Sequence, residues 1–232
     1  MNGDSVMKDF YSIAIDGPSG AGKSTMARKL AAEFGFIYVD TGALYRAVGL
    51  EFMREGYDTE LNCDISGVLS RTDINIKFID GEQHVFLNGD DVSEDIRTPA
   101  ASMMASAVSA KPEVRAFLLE MQRRLAREND VLMDGRDIGT VVLPDATLKV
   151  FVTASVKERA ERRYKELAAK GDKATFEEVC RDIEQRDYND SHRDIAPLRP
   201  ADDAVMFDTT GNNLEQSLKL LLELINERLG LS

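Results

Sequence analysis

The sequence contains no tryptophan, and only two cysteines and two histidines among its 232 residues. Cys63 and Cys180 are too few for a disulfide framework and lack the spacing of a metal site, which favours free thiols in a reducing compartment. His84 and His192 stand in polar surroundings, so we expect both at the surface rather than in acid–base catalysis. No apolar run is long enough to cross a membrane, and residues 1–10 lack the apolar core of a signal peptide. We therefore expect a cytoplasmic protein.

Basic residues are also in the minority. The chain has 29 lysines and arginines against 41 aspartates and glutamates, a net charge of −12. This balance argues against a broad nucleic-acid interface or a polybasic membrane patch, because both need a positive surface. A small molecule is the remaining kind of ligand. If that molecule is an anion, its binding site needs a local cluster of arginines. The apolar fraction of 43% and the charged fraction of 30% are ordinary for a globular protein of this length.

The most informative segment present is a glycine-rich loop. Residues 17–25 read GPSGAGKST and follow the apolar run 11–15, which satisfies G-x-x-x-x-G-K-[ST] between a strand and a helix. Glycines permit the tight turn that aims backbone N–H groups at a phosphate, and the helix N-terminus adds positive potential. The alternative is that these residues form a simple turn without binding phosphate. This is disfavoured because so many positions agree with the phosphate-loop pattern. The pattern predicts a nucleoside triphosphate bound by Gly17, Pro18, Ser19, Gly20, Ala21, Gly22, Lys23, Ser24 and Thr25. Lys23 then reaches the outer phosphates and the Ser24 hydroxyl ligates Mg²⁺.

The hydrophobic periodicity predicts an α/β fold, a three-layer arrangement with a central parallel sheet between helices. Predicted strands at 11–15, 36–39, 131–133, 148–152 and 204–207 alternate with helices such as 23–34, 43–54, 111–127 and 155–170. Residues 61–106 interrupt this alternation. Two alternating runs flank Asp80-Gly81 there and predict a β-hairpin, which suggests an inserted subdomain.

Helix starts are predicted from capping patterns near the end of the chain. Thr175 with Glu178 forms one predicted capping box, and Asn212 with Glu215 forms the other, ahead of a leucine-rich final helix.

Arginines cluster in the last third of the chain, at Arg159, Arg162, Arg163, Arg181, Arg186 and Arg193. Arg159 and Arg163 are four residues apart and so share a helix face. Guanidinium groups are permanently charged, forked donors of the kind that phosphoryl transfer uses. A solvated helix with glutamate partners explains any single arginine equally well. The cluster gains weight because a phosphate-binding loop lies on the same chain.

Two further motifs follow predicted strands. Residues 134–137 read DGRD, where Asp134 is placed to meet Mg²⁺ or its water shell. Asp137 is placed to accept from a donor group on the acceptor substrate, for instance the exocyclic amine of a cytosine. A plain turn after the strand is the alternative. Residues 40–42 read DTG at a predicted helix N-terminus, which favours an anion, with Arg46 one turn inside. A capped helix is compatible with that role.

Taken together, these motifs resemble the bacterial cytidylate kinases within the nucleoside monophosphate kinases. The resemblance runs through GPSGAGKST, DTGALYR, GDDVSEDIRT, DGRDIGTVVLPDA and APLRPADDA, and covers residues from about 13 to 227. It implies transfer of the γ-phosphoryl group of ATP to CMP or dCMP, with Mg²⁺, by a protein that we expect to be a monomer. It also implies core segments at 1–60, 107–154 and 196–232, a monophosphate-binding insert at 61–106 and a helical lid at 155–195.

The same resemblance assigns roles to side chains. It implies that the monophosphate is held by Thr41, Tyr45, Arg46 and Arg136. It implies that cytosine is read by Ser106, Arg115 and Asp137, and that sugar and phosphates are reached by Arg186, Asp190 and Arg193. Catalysis is assigned to Lys23, Arg136, Arg159, Arg163 and Arg186. The Mg²⁺ ligands are Ser24 and Asp134, the latter directly or through water.

Two other functions share part of this pattern. A shikimate- or gluconate-type kinase carries a similar loop but is typically shorter and lacks a hairpin-bearing insert. A nucleotide-gated switch carries a guanine-reading N-K-x-D, and this motif is missing from the sequence.

Overall fold

The computed structural model describes residues 10–169 and 171–230. Its strands are β1 (Ser12–Asp16), β2 (Ile37–Asp40), β3 (Ile74–Ile79), β4 (Glu82–Leu87), β5 (Asp90–Asp91), β6 (Val131–Gly135), β7 (Leu148–Thr153) and β8 (Val205–Asp208). Its α-helices are α1 (Lys23–Phe34), α2 (Thr41–Arg54), α3 (Ile65–Leu69), α4 (Pro99–Ser109), α5 (Pro112–Glu128), α6 (Val156–Ala169), α7 (Phe176–His192) and α8 (Leu214–Leu229). The predicted helix end at Lys170 and the predictions for residues 1–9 lie outside the described residues.

The central sheet is parallel throughout, in the order β2-β6-β1-β7-β8, which confirms the predicted α/β class. Ile13, Ala14 and Ile15 on β1 are fully buried, as expected for a parallel strand covered on both faces. The register pairs Asp16 with Gly135 and Asp40 with Asp134. The carboxyl ends of β1, β2 and β6 therefore lie at one edge of the sheet.

The predicted hairpin is present and belongs to a second sheet. β3 and β4 pair antiparallel around Asp80 and Gly81, both with positive φ, and β5 adds a third strand. This sheet packs against α2 and α4 around Phe52, Val85 and Leu87, which are almost fully buried. The hairpin-bearing segment and helix α2 therefore share one hydrophobic core.

Helices α6 and α7 form a pair with its own small core. Ala160 of α6 packs against Val179 and Ile183 of α7. Thr175 and Glu178 make the predicted capping box at the start of α7. No α-helix among the described residues is long and apolar enough to span a membrane.

Two helix starts differ from the sequence-based predictions. The final helix is capped by Asn213 and Gln216, so the predicted pair Asn212 and Glu215 was wrong by one residue. The reason is that the Asn212 N–H donates to Thr209 O, in the turn that follows β8. Helix α2 begins two residues earlier than predicted, because the Asp40 carboxylate accepts from the Ala43 N–H.

The histidines and cysteines take ordinary positions. His192 is exposed as predicted and stacks on Tyr188. His84 is only half exposed, because its Nδ1 lies 2.7 Å from an Asp91 carboxylate oxygen. Cys63 and Cys180 are partly buried free thiols.

Candidate active site

A cleft of about 690 Å³ opens at the carboxyl edge of the central sheet. Its walls come from the loop 19–25, the N-terminus of α2, helix α4, the end of β6, helices α6 and α7, and the start of α8. Ligands of open parallel sheets bind at this edge, where loops connect strands to helices. The predicted donor loop and the predicted acceptor residues therefore face one space.

The phosphate loop has the backbone geometry that its glycines allow. Gly17 has a φ of +145°, and a Cβ there would meet Val152 O at 1.9 Å. Lys23 follows the loop and donates from Nζ to Pro18 O at 2.8 Å. Burial, together with the charge of Arg136, lowers the pKa of Lys23 to about 7. The negative charge of a phosphate bound beside Lys23 would stabilise the charged form of this side chain.

Asp134 connects the donor loop to the sheet. Its carboxylate accepts from Ser24 Oγ at 2.6 Å and from the Tyr38 hydroxyl at 3.0 Å. Its backbone oxygen accepts from Thr41 Oγ1 at 2.8 Å. Burial raises the pKa of Asp134 above its usual value. Tyr38 was missed by sequence reasoning, and the only signal was a tyrosine inside an apolar strand.

Asp16 is a second buried carboxylate that sequence reasoning missed. It ends β1 and accepts from the N–H groups of Ile138, at 2.8 Å, and Gly139, at 2.7 Å. These residues begin the π-helical segment Ile138–Val142 directly after Asp137. Burial raises the pKa of Asp16 to about 6, although the two hydrogen bonds that it accepts from backbone N–H groups lower the pKa. An aspartate closing an apolar strand just before the loop glycines was the available signal.

The residues predicted to read cytosine come together on one side of the cleft, away from the phosphate loop. Asp137 is 4% exposed and forms a buried ion pair with Arg115. Arg193 Nη2 lies 3.4 Å from the other carboxylate oxygen. Burial raises the pKa of Asp137, while both arginines oppose that shift. Ser106 lines the same side of the cleft.

Tyr45 closes that side from α2. The Arg115 guanidinium lies 5.7 Å from the centre of the Tyr45 ring. Burial raises the pKa of Tyr45 to about 12, so its hydroxyl stays protonated near neutral pH.

Four arginines converge between these two sides. Arg136 donates from Nε to Asp190 at 2.8 Å, and Arg46 pairs with Asp40 at 2.8 Å. Arg46 Nε is buried and has no hydrogen-bond partner among the described residues. Burial, and then the charge of Arg136, lowers the pKa of Arg186 to about 10, with Arg46 and Arg163 adding to this effect. Repulsion among these cations is relieved by an anion.

Helix α6 presents its arginines differently from one another. Arg159 is 3% exposed and donates to Ser19 O at 3.0 Å, behind the phosphate loop. Arg163 lines the cleft beside Glu166, which lies 3.2 Å from its guanidinium. Arg162 also lines the cleft, and it donates to Thr209 Oγ1 at 3.2 Å and Ala21 O at 3.4 Å. The predicted cluster included Arg162, but a site role was assigned only to Arg159 and Arg163.

The donor atoms at Ser24 and Asp134 fit Mg²⁺. No group of three or more His, Cys, Asp or Glu side chains in the described part of the chain could hold a metal ion. A hydroxyl and a carboxylate oxygen 2.6 Å apart are instead the hard donors that Mg²⁺ takes, with waters and substrate phosphates completing its shell. The site suits a metal that arrives with the nucleotide.

Comparison with known proteins decides the family. The cytidylate kinase family matches residues 13–227, almost the whole chain. The chain belongs to the cytidylate kinase family. A cytidylate kinase from Caldicellulosiruptor bescii is 50% identical over 212 residues, covering 91% of this chain and 94% of the relative. The cytidylate kinase from Carboxydothermus hydrogenoformans is 50% identical over 216 residues, covering 93% and 97%.

Solved structures support the fold of this cytidylate kinase family member. A shikimate kinase from Bacteroides thetaiotaomicron superposes with a TM-score of 0.51 at 14% identity, covering 95% of this chain and 99% of that one. An uncharacterized protein from Eubacterium ventriosum gives a TM-score of 0.54 at 11% identity, covering 94% and 98%. At such low identity these likenesses concern the architecture alone.

Proposed function

We propose that the cleft between the phosphate loop and Asp137 is where this chain phosphorylates cytidylate. The chain transfers the γ-phosphoryl group of ATP to CMP or dCMP, giving CDP or dCDP and ADP, in pyrimidine nucleotide metabolism. One observation carries the assignment of the site. Lys23 in a phosphate loop and a buried Asp137 held by two arginines open into the same cleft.

The donor half is the loop 17–25. Its glycine backbone would cradle the phosphates of ATP, and Lys23 would pair with the outer ones. Ser24 and Asp134 would hold Mg²⁺, Asp134 directly or through water. Bound there, the metal supplies charge neutralisation between the donor phosphates.

The acceptor half places CMP against Asp137. This carboxylate accepts hydrogen bonds only, so it matches the exocyclic amine of cytosine and faces a carbonyl in uracil. Ser106 and Arg115 lie beside it. Thr41, Tyr45, Arg46 and Arg136 would hold the phosphate, and Arg186, Asp190 and Arg193 would reach sugar and phosphates. The unpartnered Nε of Arg46 supports this role, because a phosphate oxygen would satisfy it.

The reaction needs no strong general base. The acceptor phosphate has a second pKa of about 6, so it is largely dianionic at neutral pH. Catalysis then consists of in-line positioning and stabilisation of charge on the transferred group. Lys23, Arg136, Arg163 and Arg186 line the cleft and would supply that stabilisation. Arg159 would contribute from behind the loop, through Ser19.

We also propose the division into core, monophosphate-binding insert (61–106) and lid (155–195). The separate sheet of the insert and the separate core of α6 and α7 support it. Closure of both segments would exclude water, which competes with CMP as an acceptor. We further infer a cytoplasmic monomer without nucleic-acid partners, in keeping with the net charge of −12 and two free thiols.

One assay tests the function. ADP formation from ATP and Mg²⁺ is followed with CMP, dCMP, UMP, AMP or shikimate added singly. We expect strong acceleration by CMP and dCMP only. A rate with CMP no higher than with ATP alone would refute the proposal, and acceleration by shikimate would favour the small-molecule kinase alternative.

A further inference from the structure

A side chain of the insert hairpin reaches back to the end of the central sheet. Gln83 on β4 accepts from the Asp40 N–H through Oε1 at 2.9 Å, and donates from Nε2 to Asp40 O at 3.2 Å. The two bonds determine the amide orientation, because the Asp40 N–H can only meet an oxygen. β2 is an edge strand of the central sheet. The Gln83 amide satisfies the backbone N–H and C=O of its last residue, as the peptide group of a neighbouring strand would.

Asp40 is the residue through which this contact reaches the acceptor site. One carboxylate oxygen accepts from the Ala43 N–H at 3.0 Å and caps α2. The other accepts from Arg46 Nη2 at 2.8 Å. The backbone of Asp40 is therefore held by the insert, while its side chain holds the helix start and the guanidinium of Arg46.

Gln83 stands behind the cleft rather than in its lining. It borders a separate small cavity of about 40 Å³ to which Arg46 also contributes, whereas Arg46 lines the main cleft as well. Arg46 thus has one face toward the hairpin and one toward the substrate site. Arg46 Nε is buried and has no hydrogen-bond partner among the described residues. The orientation of this side chain therefore matters, because a small rotation decides whether the Nε–H can donate to a ligand oxygen.

We propose that Gln83 is a positioning residue for the acceptor: it fixes Asp40, and Asp40 orients Arg46 toward the phosphate of CMP. The inference rests on the role of Arg46 proposed above. The position of the hairpin then affects the acceptor site. Two hydrogen bonds join Gln83 of the hairpin to Asp40, and one ion pair joins Asp40 to Arg46.

Replacement of Gln83 by methionine tests the first step. Gln83→Met keeps the length of the side chain and removes both hydrogen bonds. We expect the KM for CMP to rise about 3- to 10-fold, the range of one net hydrogen bond, with kcat and the KM for ATP nearly unchanged. Glu82→Met, at the exposed neighbouring position on β4, is the matched control and leaves the KM for CMP unchanged. A lower melting temperature and lower kcat with an unchanged KM for CMP would show a merely structural role and overturn the inference.

Gln83→Glu separates the two hydrogen bonds. A carboxylate still accepts from the Asp40 N–H but places an oxygen against Asp40 O, so the KM for CMP rises at neutral pH. Lowering the pH protonates the new carboxylic acid, which can then donate to Asp40 O. We expect the ratio of the variant KM to the wild-type KM to fall as the pH is lowered. A ratio that is independent of pH would count against the Asp40 contact.

A double-mutant cycle with Arg46→Met tests whether the effect passes through Arg46. If it does, Gln83→Met adds little to the KM for CMP once Arg46 is methionine, whereas independent effects multiply. Multiplied effects would overturn the inference. An unchanged KM for CMP in Arg46→Met would refute the proposed role of Arg46 and this inference with it. An effect of Arg46→Met without one of Gln83→Met would refute the inference alone.

Discussion

The guanidinium of Arg159 supports the phosphate loop from behind: its Nη1 donates to the backbone oxygen of Ser19 at 3.0 Å. The same side chain donates to Ala154 O at 3.0 Å and pairs with Asp187 at 2.6 Å. Gly20 lies against it, since a Cβ there would be 3.2 Å from the Arg159 Cβ. Arg159 therefore joins α6, α7 and the donor loop into one packed unit.

Arg159→Met is expected to destabilise the protein by about 3 kcal/mol, because a broken buried ion pair leaves buried partners unsatisfied. We place the effect at the lower end of the usual range since Asp187 is partly exposed. Urea unfolding measures it. Arg163→Met serves as the comparison, because its ion pair is exposed and should change stability by less than about 0.5 kcal/mol while kcat falls. Equal stability of the two variants would contradict the loop-support role.

Asp137→Asn is expected to weaken the preference for CMP over UMP by about 1–3 kcal/mol, or one to two decades in the ratio of kcat/KM values. The amide can donate to the uracil carbonyl, which the carboxylate cannot. Steady-state kinetics with both acceptors measures the ratio. The KM for ATP is the internal control and should change little. An equal loss for CMP and UMP would show that Asp137 does not read the base.

Ser24→Ala is expected to raise the Mg²⁺ concentration needed for half-maximal activity about tenfold, since a hard oxygen ligand is lost. Titration of Mg²⁺ at saturating ATP and CMP measures this change. Ser24→Thr retains the hydroxyl and should require nearly the wild-type concentration. An Mg²⁺ requirement that is the same in all three proteins would exclude Ser24 as a ligand.

Asp16 predicts a pH-dependent stability difference between the wild type and Asp16→Asn. Its pKa rises from 3.8 in the unfolded chain to about 6 in the native protein, so between these values the native state keeps a proton that unfolding releases. The stability of the wild type therefore falls as the pH rises through this window, and the cost is complete above the native pKa.

This shift corresponds to about 3 kcal/mol, of which about 2 kcal/mol lies between pH 4.5 and 7.5. Asparagine does not titrate, so Asp16→Asn should gain that amount relative to the wild type across the interval. The NH2 group of asparagine cannot accept a hydrogen bond, so one of the two backbone N–H groups loses its partner. This loss lowers the stability of the variant by the same amount at every pH. Urea unfolding at both pH values gives the difference, and a difference that stays constant would refute the shift.

Much of the site follows from local sequence. The loop 17–25, the DTG that begins at the last residue of β2 and the DGRD that begins inside β6 all lie at one edge of the sheet, because parallel strands carry their carboxyl ends to the same side. The hairpin at Asp80-Gly81 was equally readable, since its turn chemistry and its alternating runs are contained in 14 consecutive residues, Ile74 to Leu87.

Four side chains in or near the site received no role from sequence reasoning, for a common reason. Asp16, Tyr38, Gln83 and Arg162 act through partners far away in the chain, such as Gly139, Asp134, Asp40 and Thr209. Their immediate neighbours offer at most a weak signal, such as the apolar strands that contain Asp16 and Tyr38. The cap of the final helix was likewise placed one residue early, because the turn at Thr209 takes up Asn212.

The sequence by itself determined the strand–helix alternation, the phosphate loop and the family, because these depend on periodicity and on motifs of adjacent residues. Only the tertiary structure decided which arginine of α6 supports the loop and which ones face the cleft. Arg159, Arg162 and Arg163 are the same residue type within five positions. Their environments differ because Ser19 and Thr209 come to Arg159 and Arg162 from distant parts of the chain, whereas the partner of Arg163, Glu166, lies on the same helix. A guanidinium buried among protein oxygens is committed to the fold, while one bordering the cleft remains available to phosphate.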